Sequence, residues 1–435
     1  MLSRIRKILP KGEFSHNISI LAGSAAFAQG IGVLAAPILT RLYSPSDYGI
    51  VAVFGSVVAL LLVVATFRFE WAIPNPEKDE DAINLLVICF IVLLFIALFS
   101  FPVMLVLFNT LDMRSDIATI KPYLWLVPLY IVGGASYQTL NAWAIRKKNF
   151  TPIAKTRFSQ SISGSAITIG LGLFKWGPLG LLVGGFVGQS AGIGTLASLL
   201  WREDRQIFHS LRKENIIFYL KRYMKFAALS SGVGIVNSAS LQMTTFLLIS
   251  YFEASVVGWY ALAQRVIAVP TGLIGQATAQ TFWAEAAQLI RTNPQGLKQL
   301  FLKFSKRLAL LSLIIAVLGI ISPFAFGIVF GTEKWTMAGY YALYLTPMIM
   351  AQFVVGTLSH LAVHELQHWQ FAWDICRLVL ICLCFWITHN LGFTADVFIL
   401  IYSVMMSGMY LVLYMMNLNA LQIKIKAVSW KYEER

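Results

Sequence analysis

Long apolar runs separated by short polar connections organise the chain from end to end. A helix needs roughly 20 apolar residues to cross a bilayer's hydrocarbon, because every backbone donor and acceptor must be paired within the segment. Twelve stretches meet that test, near residues 18–40, 48–67, 83–108, 122–143, 158–174, 178–200, 226–250, 256–282, 308–330, 337–360, 370–387 and 395–420. The fifth is short and rich in Gly and Ser. The pattern predicts an all-α polytopic membrane protein of about 12 transmembrane helices with almost no soluble domain.

Composition agrees: 58% of the 435 residues are hydrophobic and 12% charged, far from the globular norm. A net charge of +14 could mark a nucleic-acid surface, but the basic residues sit in short clusters between apolar runs, so no nucleic-acid partner is expected. They report topology instead. With the N-terminus placed inside, 27 of the 34 Lys and Arg fall in connections on that side and 5 on the other, which predicts both termini in the cytoplasm. The basic start (Arg4, Arg6, Lys7, Lys11) could open a signal peptide, but the run that follows is too long for a signal core and reads as an uncleaved first helix. The four cysteines lie inside apolar segments, which supports neither disulfides nor a metal or redox site.

The longest hydrophilic connection lies mid-chain and carries seven basic residues, so three regions are expected: an N-terminal six-helix lobe at 1–205, a basic cytoplasmic linker at 206–225 and a C-terminal six-helix lobe at 226–435. At an offset of 209 residues, Ser46-Asp47-Tyr48-Gly49-Ile50-Val51-Ala52 aligns with Ser255-Val256-Val257-Gly258-Trp259-Tyr260-Ala261, with three identities. Six crossings return the chain to its starting side, so the halves should be parallel repeats with a cavity between two bundles.

Charge inside a membrane is costly, which makes each such residue a functional hypothesis. Arg265 lies deep in the eighth segment and can bind phosphate oxygens through two N–H groups, or be tied to helix-end carbonyls. Asp374 and Arg377, three apart, share a helix face and can neutralise each other, as coupling or structural charge. Arg68 and Glu70 stand at the inner end of the second segment, Glu70 as a further coupling or structural charge, and Arg41 at the outer end of the first. Amides within the segments, including Gln29, Asn141, Gln264 and Gln276, suit a wet cavity for a hydroxyl-rich ligand or simply bridge helices. Pro270, with Gly272 and Gly275, predicts a kink or hinge in the eighth helix.

His364-Glu365-Leu366-Gln367-His368 matches the zinc-binding HExxH pattern, and His360 extends the face. No well-placed third ligand follows, so it reads as linker, and no metal or other cofactor is expected.

Leu39-Thr40-Arg41-Leu42-Tyr43-Ser44-Pro45-Ser46-Asp47-Tyr48-Gly49, followed by Phe69-Glu70-Trp71-Ala72-Ile73-Pro74, resembles the first helical hairpin of Wzx-type bacterial polysaccharide and O-antigen flippases. Tyr260-Ala261-Leu262-Ala263-Gln264-Arg265, Pro270, Gly275 and Phe282-Trp283-Ala284-Glu285-Ala286 look like the family's eighth helix and the loop after it. The resemblance implies the multidrug/oligosaccharidyl-lipid/polysaccharide exporter superfamily: a MATE-like fold of six plus six helices in the bacterial inner membrane. It implies a non-enzymatic flippase of an undecaprenyl-pyrophosphate-linked oligosaccharide, with Arg265 and Arg68 on the pyrophosphate, and membrane lipid, a polysaccharide polymerase and a ligase as partners. Related lipid II flippases have an acid where Gln264 stands. A cation-coupled multidrug exporter of the same fold is the alternative, and a zinc protease built on His364, Glu365 and His368 a third reading.

Overall fold

A computed structural model describes residues 13–110, 117–331, 333–361 and 366–433. Each of the twelve expected segments is helical. The first three are α1 (Glu13–Leu42), α2 (Pro45–Val64) and α3 (Asp79–Thr110). Helices α4 (Leu126–Arg146) and α5 (Phe150–Leu173) follow, and α5 runs 24 residues, longer than its Gly- and Ser-rich sequence suggests. The sixth segment is broken at Gly192, with φ +102°, into α6 (Pro178–Ser190) and α7 (Ile193–Asp204). Helix α8 (Lys213–Tyr251) begins within the basic linker, so residues 213–225 are its first turns rather than a loop. The eighth segment is α9 (Ala254–Ile267), a π turn (Thr271–Gly275) and α10 (Gln276–Thr292). The interruption begins at Ala268, just before Pro270, whose missing N–H leaves the helix ladder a gap. Helices α11 (Pro294–Phe330), α12 (Thr336–Leu358), α13 (Gln367–Asn390) and α14 (Ala395–Glu433) complete the chain.

Nine helical stretches are long and apolar enough to cross a membrane among the described residues. The other expected crossings are α4, α5 and the α9–α10 run, whose amides, hydroxyls and charges dilute their apolarity. Outward-facing side chains fit a lipid solvent: Ile91, Leu94, Phe95 and Leu98 on α3, and Leu310, Val317, Phe324 and Ile328 on α11, are all exposed.

The chain forms two compact units, residues 1–43 with 53–238, and 44–52 with 239–435. Helices α2 and α8 each belong partly to one and partly to the other. In unit 1 the core gathers Phe69, Ile73, Ile83, Leu86, Trp143 and Leu196 around the α2–α3 connection. In unit 2, α11 and α12 approach closely through small residues, Gly339 lying against the Ser322 backbone and Gly319 against Thr346.

The start of α2 lies in unit 2 and explains its own sequence. Ser44 and Asp47 form a capping box: the Asp47 carboxylate accepts the Ser44 N–H at 2.8 Å and the Ser44 hydroxyl accepts the Asp47 N–H at 3.2 Å. Pro45 occupies the first helical position, where no N–H is needed.

Candidate functional site

In unit 1, the turn after α2 carries two consecutive non-glycine residues with positive φ, Phe67 at 47° and Arg68 at 58°. Each left-handed residue costs about 1–2 kcal/mol, so the surrounding structure must hold this corner in place. A 3-10 turn (Phe69–Ala72) follows. Arg68 is half-buried, its guanidinium 4.2 Å from the centre of the Trp71 ring. Its Nη2 lies against α8, where a Cβ on Gly234 would stand 2.7 Å away, so glycine leaves the guanidinium its room. Glu70 is 5% exposed, accepts the Thr66 hydroxyl, and has no ion-pair partner among the described residues. Burial pushes its carboxyl above the ordinary value, while the Thr66 hydrogen bond and the nearby Arg68 charge pull it back.

A second cluster in unit 1 fixes the rest of this connection. Arg146, at the end of α4, donates to Asp79 Oδ1 at 2.8 Å and to the carbonyls of Ile73, Pro76 and Glu77. Lys147 Nζ lies 2.9 Å from Asp79 and 2.8 Å from Asp204, which also accepts Trp143 Nε1–H at 2.9 Å. Burial lowers the Lys147 ammonium, but hydrogen bonds and charge from Asp204 and Asp79 outweigh it and raise the group. Gln29 on α1 and Asn141 on α4 are half-buried in the same unit.

In unit 2, Arg265 stands two residues before the end of α9 and is exposed, with no ion pair among the described residues. Gln264 beside it is half-buried, and Gln276, the first residue of α10, is exposed on the far side of the π turn. Asp374 and Arg377 of α13 meet at 3.0 Å with side chains 2% and 4% exposed. The Arg377 guanidinium lies 4.8 Å from the Trp373 ring centre and bonds the Tyr410 hydroxyl. Ser240 Oγ donates to the Asp374 carbonyl at 2.9 Å.

His360 packs edge-on against Phe282 and Phe301, its Nδ1 3.0 Å from the Leu358 carbonyl, and burial holds its ring below the ordinary histidine value. His364 and Glu365 lie outside the described residues. No group of three or more His, Cys, Asp or Glu able to hold a metal occurs among the described residues.

The structure therefore pairs Asp374 with Arg377, whereas Arg68 and Glu70, two residues apart, make no ion-pair contact among the described residues. Thr66, Trp71 and Gly234 complete the first cluster and escape a reading of the sequence. The run Ser230-Ser231-Gly232-Val233-Gly234 carries the trace of it, since small residues within a membrane helix mark a close approach without saying of what. The Arg146 contacts, nearly 70 residues apart in sequence, leave no local signal at all.

Residues 38–340 match the family model described as "Polysaccharide biosynthesis protein". The succinoglycan biosynthesis transport protein ExoT of Rhizobium meliloti (strain 1021) is 24% identical over 333 residues, which covers 75% of this chain and 64% of that protein, less than two thirds of its length. Among solved structures, an inward-facing multidrug resistance MATE family transporter of the MOP superfamily matches with a TM-score of 0.65 at 13% identity, over 92% of this chain and 96% of that one. The lipid II flippase MurJ in an inward closed conformation matches with a TM-score of 0.61 at 13% identity, over 94% and 92%.

Proposed function

This chain belongs to the polysaccharide biosynthesis protein family, and from that premise we propose that it is a flippase. It moves an undecaprenyl-pyrophosphate-linked oligosaccharide from the cytoplasmic to the periplasmic leaflet of the bacterial inner membrane, with its own termini in the cytoplasm, for O-antigen, capsule or exopolysaccharide assembly. The observation that carries this reading is Arg265: an exposed guanidinium on a membrane helix that breaks into a π turn a few residues later. A fixed cation inside a bilayer needs an anionic partner, and a guanidinium fits two phosphate oxygens at once.

The sugar's hydroxyls are met by amides such as Gln264 and Gln276 of unit 2, while the polyprenyl tail remains in lipid. Arg68 is the matching cation of unit 1. Covalent chemistry is not required. A polymerase and a ligase that use the delivered unit are the natural partners.

The alternative of a cation-coupled multidrug exporter draws on the MATE-like fold. The buried carboxylate that such an exporter could use in unit 2, Asp374, is already neutralised by Arg377. The test is deletion of the gene followed by complementation. Surface polysaccharide should disappear and return with the wild-type gene but not with Arg265→Ala, at equal membrane abundance. Intact surface polysaccharide in the deletion, together with lost drug tolerance, would establish the exporter instead.

A further inference from the structure

Helix α11 has one buried face, carried by Leu297, Phe301, Leu308, Ile315 and Gly319, and an exposed face that changes character along its length. Two exposed rows run up it at seven-residue spacing. One reads Lys303, Leu310, Val317, Phe324 and the other Arg307, Ile314, Ile321, Ile328. Each row is apolar except at its start, which is a cation. Lys306 is a third exposed cation between the two. We propose that Lys303, Lys306 and Arg307 form a binding site for the headgroup of an anionic phospholipid, in the leaflet that the topology proposed above makes cytoplasmic.

Depth selects the ligand. At about 1.5 Å per residue, the apolar stretch from Leu310 to Ile328 is roughly 27 Å tall, close to the hydrocarbon thickness of a bilayer. Arg307 and Lys306 stand about 5–6 Å past Leu310 along the helix and Lys303 about 10 Å past it, which is headgroup depth and its outer edge. A phosphodiester headgroup carries its negative charge there, and a guanidinium can hold two of its oxygens at once. No acid competes on the helix: α11 has none in its 37 residues, and none of the three cations is in an ion pair among the described residues.

The cations are also held facing outward. Asn293 caps α11, its side-chain oxygen accepting the Gly296 N–H at 2.9 Å. On the buried face, Phe301 stacks on Tyr414 of α14 with ring centres 5.2 Å apart, and it packs against Phe282 of α10 and the edge of the His360 ring. These contacts fix the roll of the helix and with it the direction of the patch. A cationic start is not a general property of lipid-facing helices here, since α3, also exposed along one apolar face, opens with Asp79, Glu80 and Asp81.

Purified full-length protein in neutral detergent, offered equal amounts of phosphatidylglycerol and phosphatidylcholine, should retain the anionic lipid about tenfold or more in preference, as read by native mass spectrometry. The preference should collapse in Lys303→Gln/Lys306→Gln/Arg307→Gln and weaken at high salt. It should persist in Arg205→Gln/Arg212→Gln/Lys213→Gln, which removes the same charge from exposed positions before and at the start of α8. On the unsubstituted protein, phosphatidylglycerol with a photoactivatable headgroup should label residues 299–310 above the other basic connections. Absence of any preference, equal loss in both triple variants, or evenly spread labelling overturns the proposal. So does displacement of the retained lipid by an equal amount of inorganic phosphate, which would make the patch a free-anion site, or of polyprenyl pyrophosphate, which would make it a substrate entry. The flippase reading stands apart from these outcomes, since surface polysaccharide in the complemented deletion decides it separately.

Discussion

Gly49 and Gly258, 209 residues apart, make reciprocal contacts: a Cβ on Gly49 would lie 1.8 Å from the Ala254 carbonyl oxygen, and one on Gly258 1.8 Å from the Pro45 carbonyl oxygen. The same offset carries Pro45 onto Ala254. Two helix starts thus exchange equivalent contacts at the same offset. The faint three-identity alignment therefore marks a packing contact within unit 2.

Either glycine replaced by alanine should drive a methyl into a backbone carbonyl that cannot rotate away. We expect a loss of about 1–3 kcal/mol or outright misfolding, read as a lowered Tm of the detergent-solubilised protein. Gly170→Ala in α5 is the matched control, since nothing lies within 4 Å of its Cβ. It should hold or gain stability by about 0.5–1 kcal/mol. Equal effects at both kinds of site would contradict the contact.

Breaking the Asp374–Arg377 pair from one side leaves an uncompensated buried charge. Arg377→Met should destabilise unit 2 by about 3–5 kcal/mol, while Asp374→Leu combined with Arg377→Met should recover most of that loss. Thermal unfolding of the single and double variants separates the two. A double variant no more stable than the single would mean that the pair's other contacts, such as Tyr410 and Ser240, dominate.

Arg146→Lys keeps the charge but loses the fork that reaches Asp79 and three carbonyls together. Amide exchange at residues 73–79 should accelerate, corresponding to a local loss of about 1.5–3 kcal/mol. Exchange in α11, in the other unit, should stay unchanged.

The Glu70 carboxyl supplies a signed pH dependence. Its folded value lies above the unfolded one of about 4.5, so between them the folded state holds more protons. Stability should then fall as pH rises through that window and level off above the raised value. Glu70→Gln should remove this component. A wild-type Tm rising across the window, after subtraction of the variant's profile, would reverse the sign and refute it.

At the proposed binding cations, lysine substitutions distinguish charge from geometry. Arg265→Lys and Arg68→Lys should retain part of the surface polysaccharide that alanine removes, because an ammonium keeps the attraction but not the two-point grip. Full activity of Arg265→Ala in quantitative glycan staining would eliminate its role.

The apolar runs alone determined the membrane class, the helical content and the approximate span count, because a bilayer offers no other solution for twelve such segments. Helix breaks were legible where their chemistry is local. Pro270 announced its interruption, whereas Gly192 did not, since one glycine among many looks the same until its φ is known. The residues that carried the family resemblance proved to be largely structural: Ser44, Pro45 and Asp47 cap a helix, and Gly49 permits a crossing. A capping box spans four residues and so can be read from the chain. By contrast, Arg68 against Gly234, Arg146 against Asp79, and the burial of Glu70 against Thr66 with no contact cation among the described residues depend on how segments meet in space. Hydropathy reports how a residue partitions between water and lipid, and only the fold decides which charge it meets once both have been buried.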